Sequence, residues 1–67
     1  MKLEINGQSA ILPDHCATVG DLLNQPEWKG RMLIVEHNGK VLFHENVAFT
    51  LLSEGDRIEL IHVVGGG

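Results

Sequence analysis

Two Asn-Gly dipeptides, Asn6-Gly7 and Asn38-Gly39, constrain what this chain can fold into more than any other feature. Both residue types tolerate positive φ, which the tight turn of a two-residue hairpin requires. Each dipeptide is flanked by strand-like runs. Residues 2–6 alternate polar and apolar, with Leu3 and Ile5 on one face, as a half-buried strand does. Residues 10–12 form the returning strand, stopped by Pro13. Residues 32–37 are an apolar, β-branched run of the kind that suits a central strand covered on part of both faces. Residues 40–43 return from the second turn. The pattern predicts two hairpins.

Between them lies one helix signature. Thr18 can cap a first turn while Asp21, three residues on, reaches back in a capping-box arrangement. Val19, Leu22 and Leu23 supply the apolar stripe, Gly20 weakens it, and Pro26 disfavours helical geometry at Gln25. A helix of roughly two turns is predicted. Residues 45–50 read as an irregular connection with room for a helical turn, and Leu51 and Leu52 should pack under it. Ser53-Glu54-Gly55-Asp56 is a turn, followed by a last strand over residues 57–64. Alternation there places Ile58, Leu60 and His62 on one face, and Arg57, Glu59, Ile61 and Val63 on the other.

The order strand, strand, helix, strand, strand, irregular segment, strand describes an α+β domain. Its expected form is a ubiquitin-like β-grasp, a mixed sheet with one main helix packed on one face. The expected core is Leu3, Ile5, Val19, Leu22, Leu23, Val35, Leu52, Ile58 and Leu60. The expected organisation is a folded body over residues 1–64 and a flexible glycine tail over 65–67.

At 67 residues the chain is near the lower limit for a single core. Little room is left for an enclosed catalytic pocket, so self-contained catalysis is disfavoured and no catalytic residue is assigned. The formal charge of −4, with only five scattered Lys and Arg, argues against nucleic acid as a partner. It would suit a basic protein surface, acting mainly on encounter rate. The lone Cys16 rules out an internal disulfide and fits a reducing compartment. No apolar run approaches a membrane span, and the chain opens on strand pattern without signal-peptide character. The expected setting is the cytoplasm, with no membrane partner.

Gly65-Gly66-Gly67 closes the chain directly after the last strand. Without Cβ atoms, such a tail is thin and lets another protein's backbone approach closely. Three extended residues reach about 10 Å, enough to carry a carboxylate at Gly67 into a neighbouring active site. Ile61 and Val63, apolar and outward-facing beside that tail, mark a partner-docking surface.

Other chemistry is weakly signalled. Cys16 has no recognisable histidine-and-acid constellation around it, and a small buried or loop cysteine is the ordinary role. His15, Cys16, His37, His44 and His62 show no paired zinc spacing, so no metal site is expected. The Asn-Gly and Gly-Gly segments make no phosphate loop, because no Lys-Ser/Thr or helix follows them. Trp28 is expected to cover the core edge after the helix. The carboxylates are dispersed, with no identifiable acid–base pair.

The run Glu54-Gly55-Asp56-Arg57-Ile58-Glu59-Leu60-Ile61-His62-Val63-Val64-Gly65-Gly66-Gly67 resembles the ThiS family, the sulfur carrier proteins of thiamine biosynthesis. Val35-Glu36-His37-Asn38-Gly39, the paired hairpins and the length carry the resemblance across the whole chain, most weakly between Pro13 and Met32. Many family members have an aromatic residue where this chain has Val63. That departure bears on one partner contact and leaves the tail untouched.

The resemblance implies that the Gly67 carboxylate is adenylated by a separate, ATP-dependent, ThiF-like adenylyltransferase and converted to a thiocarboxylate. A sulfur donor protein and a ThiG-like thiazole synthase are the further implied partners, with Gly65 and Gly66 presenting the tail. This chain would bind no cofactor itself, the ATP being used by the activating partner. The chemical need is plain, since an ionised carboxylate is a poor electrophile and a mixed anhydride with AMP supplies a leaving group. Other readings stay open on the residues. One is a carrier like the small subunit of molybdopterin synthase, although those subunits are generally longer and often carry proline before the final glycines. Another is a ubiquitin-like binding module with an inert tail, and a third is a small enzyme using Cys16.

Overall fold

The computed structural model describes residues 1–63; Val64 and the glycines at 65, 66 and 67 lie outside the described residues, and with them the expected boundary of the folded body. Five strands form one sheet: β1 (Lys2–Ile5), β2 (Gln8–Ile11), β3 (Leu33–His37), β4 (Lys40–Leu42) and β5 (Arg57–His62). Their spatial order is β2-β1-β5-β3-β4. β5 is therefore the centre, parallel to β1 and antiparallel to β3. The helix α1 (Val19–Leu23) packs on one face, completing a ubiquitin-like β-grasp. No described helix is long and apolar enough to cross a membrane.

Both Asn-Gly turns form as the residue types require, with φ of 51° at Asn6 and Asn38, 80° at Gly7 and 86° at Gly39. β1 pairs antiparallel with β2, and β3 with β4. β3 is an interior strand, as expected for residues 32–37, paired with β4 on one side and with the middle strand β5 on the other. A single short helix covers only one side of this sheet, so Ile34 of β3 stays 45% exposed on the other.

Thr18 caps α1 with extended backbone, accepting from the Asp21 N–H at 3.1 Å. The Asp21 carboxylate accepts in turn from the N–H groups of Ala17 at 2.9 Å and Thr18 at 3.0 Å. Those backbone bonds hold the Asp21 carboxyl below the usual carboxylate range. The helix is shorter than two full turns, five residues ending at Leu23 with Asn24 as its C-cap, and the chain then winds through bonded turns that deliver Trp28 to the core edge. The connection after β4 is a 3₁₀ helix, His44–Phe49. It crosses α1 at Gly20, where a Cβ would stand 3.2 Å from the Ala48 Cα. Gly20 thus weakens α1 by propensity but permits its closest backbone neighbour.

Eight of the nine expected core residues are buried: Leu3, Ile5, Val19, Leu22, Val35, Leu52, Ile58 and Leu60. Leu23 is only partly buried, because a helix this short turns just one narrow stripe, Val19 and Leu22, fully inward. Leu12 and Cys16 join the core from the segment leading into α1. Leu51 does not pack under the 3₁₀ helix as expected. Its backbone bridges to Thr18 and its side chain is 69% exposed, leaving Leu52 to fill the space.

Candidate functional site

The central strand β5 leads directly toward the glycine tail, and side chains from both hairpin turns fasten it. Asn6 Oδ1 accepts the Leu60 N–H at 2.8 Å while Asn6 Nδ2 donates to the Leu60 carbonyl at 3.2 Å. β1 has ended by then, so one amide side chain continues its pairing with β5. On the opposite flank, Asn38 Oδ1 accepts the Arg57 N–H at 2.8 Å and Asn38 Nδ2 donates to Asp56 at 3.1 Å. His37 Nε2 pairs with Asp56 Oδ2 at 2.8 Å, and the Ser53 N–H donates to the same oxygen at 2.9 Å. Withdrawal from water would raise the Asp56 carboxyl. The bonds from His37, Asn38 and Ser53 outweigh it and hold the group below the ordinary aspartate value.

Along β5, Ile58 and Leu60 point into the core, while Arg57, Glu59 and Ile61 point away from it. Ile61 and Val63 are each 42% exposed, on the side that alternation assigns them. They are not isolated. Ile61 lies directly opposite Ile34, and the Val63 N–H donates to the Met32 carbonyl at 3.1 Å, extending the pairing one step. Val41 of β4 lies opposite Glu36 on the same face, and Phe43 follows it at the same parity. All these apolar side chains are exposed. Ile34, Val41 and Ile61 share the open sheet face, with Phe43 and Val63 in step with them beside the strand end that leads to the tail, whereas Met32 borders the cleft lined by Leu23 and Trp28.

Met32, Ile34, Val41 and Phe43 were not singled out by sequence. The available signal was parity, since Ile34 shares its face with Glu36 and β3 therefore has a wet side. His62, although in step with Ile58 and Leu60, is exposed at the sheet's end with its ring 6.4 Å from that of Trp28.

The other reactive types are kept apart. Cys16 is buried, with Sγ accepting from Gln25 Nε2 at 3.3 Å. Among the described residues no group of three or more His, Cys, Asp or Glu side chains could hold a metal ion. The proposed attachment residue Gly67 and its presenting neighbours Gly65 and Gly66 lie outside the described residues.

The ThiS family model matches residues 2–67. The chain belongs to the ThiS family. It is similar to a Bacillus subtilis protein named sulfur carrier protein ThiS, 32% identical over 65 residues, covering 97% of this chain and 98% of that one. It is also similar to the thiamine biosynthesis protein ThiS of Geobacter metallireducens. The crystal structure of that protein aligns with a TM-score of 0.75 at 32% identity, covering all of both chains. A solution structure of a thiamine biosynthesis protein from the same organism aligns at 0.78 and 30% identity, covering all of this chain and 88% of the other. In this ThiS-family chain the match runs through the open-face residues Ile61 and Val63 and on through the three glycines.

Proposed function

We propose that this chain is a sulfur carrier for thiamine biosynthesis, a protein co-substrate whose Gly67 carboxylate is the reactive group. The observation that carries the reading is the ThiS-family match, which extends through the glycine tail. In the first step the carboxylate attacks the α-phosphorus of ATP on a ThiF-like adenylyltransferase, releasing pyrophosphate and leaving an acyl adenylate. A sulfide-level sulfur nucleophile, released by a donor protein, then attacks the acyl carbon and expels AMP, leaving a thiocarboxylate. A ThiG-like thiazole synthase accepts that sulfur for thiazole formation. The chain binds no cofactor in this scheme; its part is presentation.

The geometry supports this division of labour. β5 is central and fastened on both flanks, so the strand that carries the tail is a firm base. The four residues after Val63 can span at most about 14 Å. An enzyme reaching their end must therefore sit against the body, and Ile61 and Val63 are the apolar contacts nearest to it. The cytoplasm is the proposed setting, supported by a single thiol that stays buried and unpaired with any other.

Intact-mass analysis after incubation with a ThiF-like enzyme, ATP and a sulfur source tests the reading. The expected product has one terminal oxygen exchanged for sulfur. Deleting Gly67 should abolish charging and leave the fold intact, and Cys16→Ser should still be charged. Ile61→Asp should weaken enzyme binding with the melting midpoint nearly unchanged, because that side chain is already half in water. Sulfur recovered on Cys16, or equal charging of the tail-deleted chain, would rule the carrier reading out.

A further inference from the structure

On the open face, Glu36 and Glu59 stand directly opposite each other across β3 and β5. Residues in this relation have Cβ atoms about 4.5–5.5 Å apart, where like charges destabilise a sheet. Neither carboxylate has an ion-pair or side-chain hydrogen-bond partner among the described residues. In the neighbouring row Glu4 of β1 lies opposite Arg57 of β5, an acid facing a base across the strands, though the two make no direct ion pair. The Glu36–Glu59 pair also sits against apolar side chains: Val41 lies opposite Glu36, and the Ile34–Ile61 pair is the next outward-facing pair toward the tail. Two like charges set face to face, without a direct ion-pair partner among the described residues although Arg57 shares their face, oppose the pairing of these strands rather than help it.

We infer that the open face receives a basic side chain of the activating enzyme between Glu36 and Glu59, with Ile34, Val41 and Ile61 closing around it. The inference rests on the carrier reading and specifies its partner's chemistry. A guanidinium suits the position best, since its planar fork of donors can bond two carboxylates at once, and it sheds water more readily than an ammonium. Surrounding apolar contacts would exclude solvent and strengthen that bond. Mutual repulsion in the free carrier is relieved on docking, so the pair favours the complex over the free chain. The charge of −4 on the whole chain would speed the encounter.

The test uses the full chain and a ThiF-like enzyme, with affinity measured by calorimetry and charging by pyrophosphate release. Glu36→Gln/Glu59→Gln and Glu59→Lys are compared with the parent chain. Both variants should melt no lower than the parent, and Glu59→Lys should melt higher by pairing with Glu36. Each should nonetheless bind the enzyme more weakly, by on the order of tenfold for the double variant and more for the lysine. Added salt should weaken parental binding more steeply than binding of the double-glutamine chain. If the parent is charged while the double variant binds equally well with the same salt slope, this inference fails and the carrier reading stands. If the parent itself is neither bound nor charged, both fall. Should one variant fold poorly, the affinity and salt slope of the other against the parent decide the matter.

Discussion

Replacing Asn6 with glycine isolates the side chain's part in holding β5, because glycine keeps the positive φ of this position without strain. Two hydrogen bonds disappear, both to the buried Leu60 at the centre of the sheet. At about 1 kcal/mol each they amount to about 2 kcal/mol. Glycine's extra freedom in the unfolded chain adds up to about 1 kcal/mol more. Asn6→Ala loses the same bonds and must also hold a left-handed backbone with a Cβ, a further 1–2 kcal/mol or about that. A domain of this size has a total stability of roughly 3–10 kcal/mol, so glycine leaves a folded but weakened protein, and alanine approaches the edge. Urea unfolding followed by Trp28 fluorescence reads this directly. With a slope of about 1 kcal/mol per molar, the glycine variant should unfold about 2–3 M earlier. Hydrogen exchange should show faster opening at the Leu60 amide. Asn6→Asp should not rescue, since it keeps the acceptor for the Leu60 N–H but turns an oxygen toward the Leu60 carbonyl. An Asn6→Gly midpoint within about 0.5 M of the parent would show that Asn6 acts only as a turn residue.

Leu22→Ala should cost about 2–5 kcal/mol, whereas Leu23→Ala should cost clearly less, because only Leu22 is fully buried; equal losses in urea would contradict the assigned helix stripe. Gly20→Val should destabilise despite valine's better helix propensity, since its Cβ meets the Ala48 backbone at 3.2 Å, and a raised melting temperature would mean the 3₁₀ helix yields freely. The Asp56 carboxyl is held below its unfolded value, so its bonds stabilise the fold fully above the ordinary aspartate pKa and lose that effect as pH falls through the lowered one. The stability gap between the parent and Asp56→Ala should therefore narrow below about pH 4, and a gap that widens as pH falls through that range would refute the assignment.

The local elements were legible because each is specified by neighbours in sequence. The Asn-Gly turns, the Thr18–Asp21 capping box and the parity of β5 depend on φ preference, short-range hydrogen bonds and side-chain alternation, and all three stand as read. The failures share a cause. Leu23 and Leu51 are as apolar as the residues that became core, and what separates them is how much surface one short helix can cover. Covering capacity belongs to the assembled layers and appears in no local pattern. The long-range bonds of Asn6 and Asn38 to β5 were equally hidden, since a turn residue's side chain is free in the sequence until a distant strand arrives beside it. By itself, then, the sequence determined the hairpins, the capped helix, the family and the glycine end. Tertiary structure decided that β5 is the centre, that the sheet keeps one open face, and that Glu36 meets Glu59 there, because register and coverage arise only when strands far apart in the chain are paired.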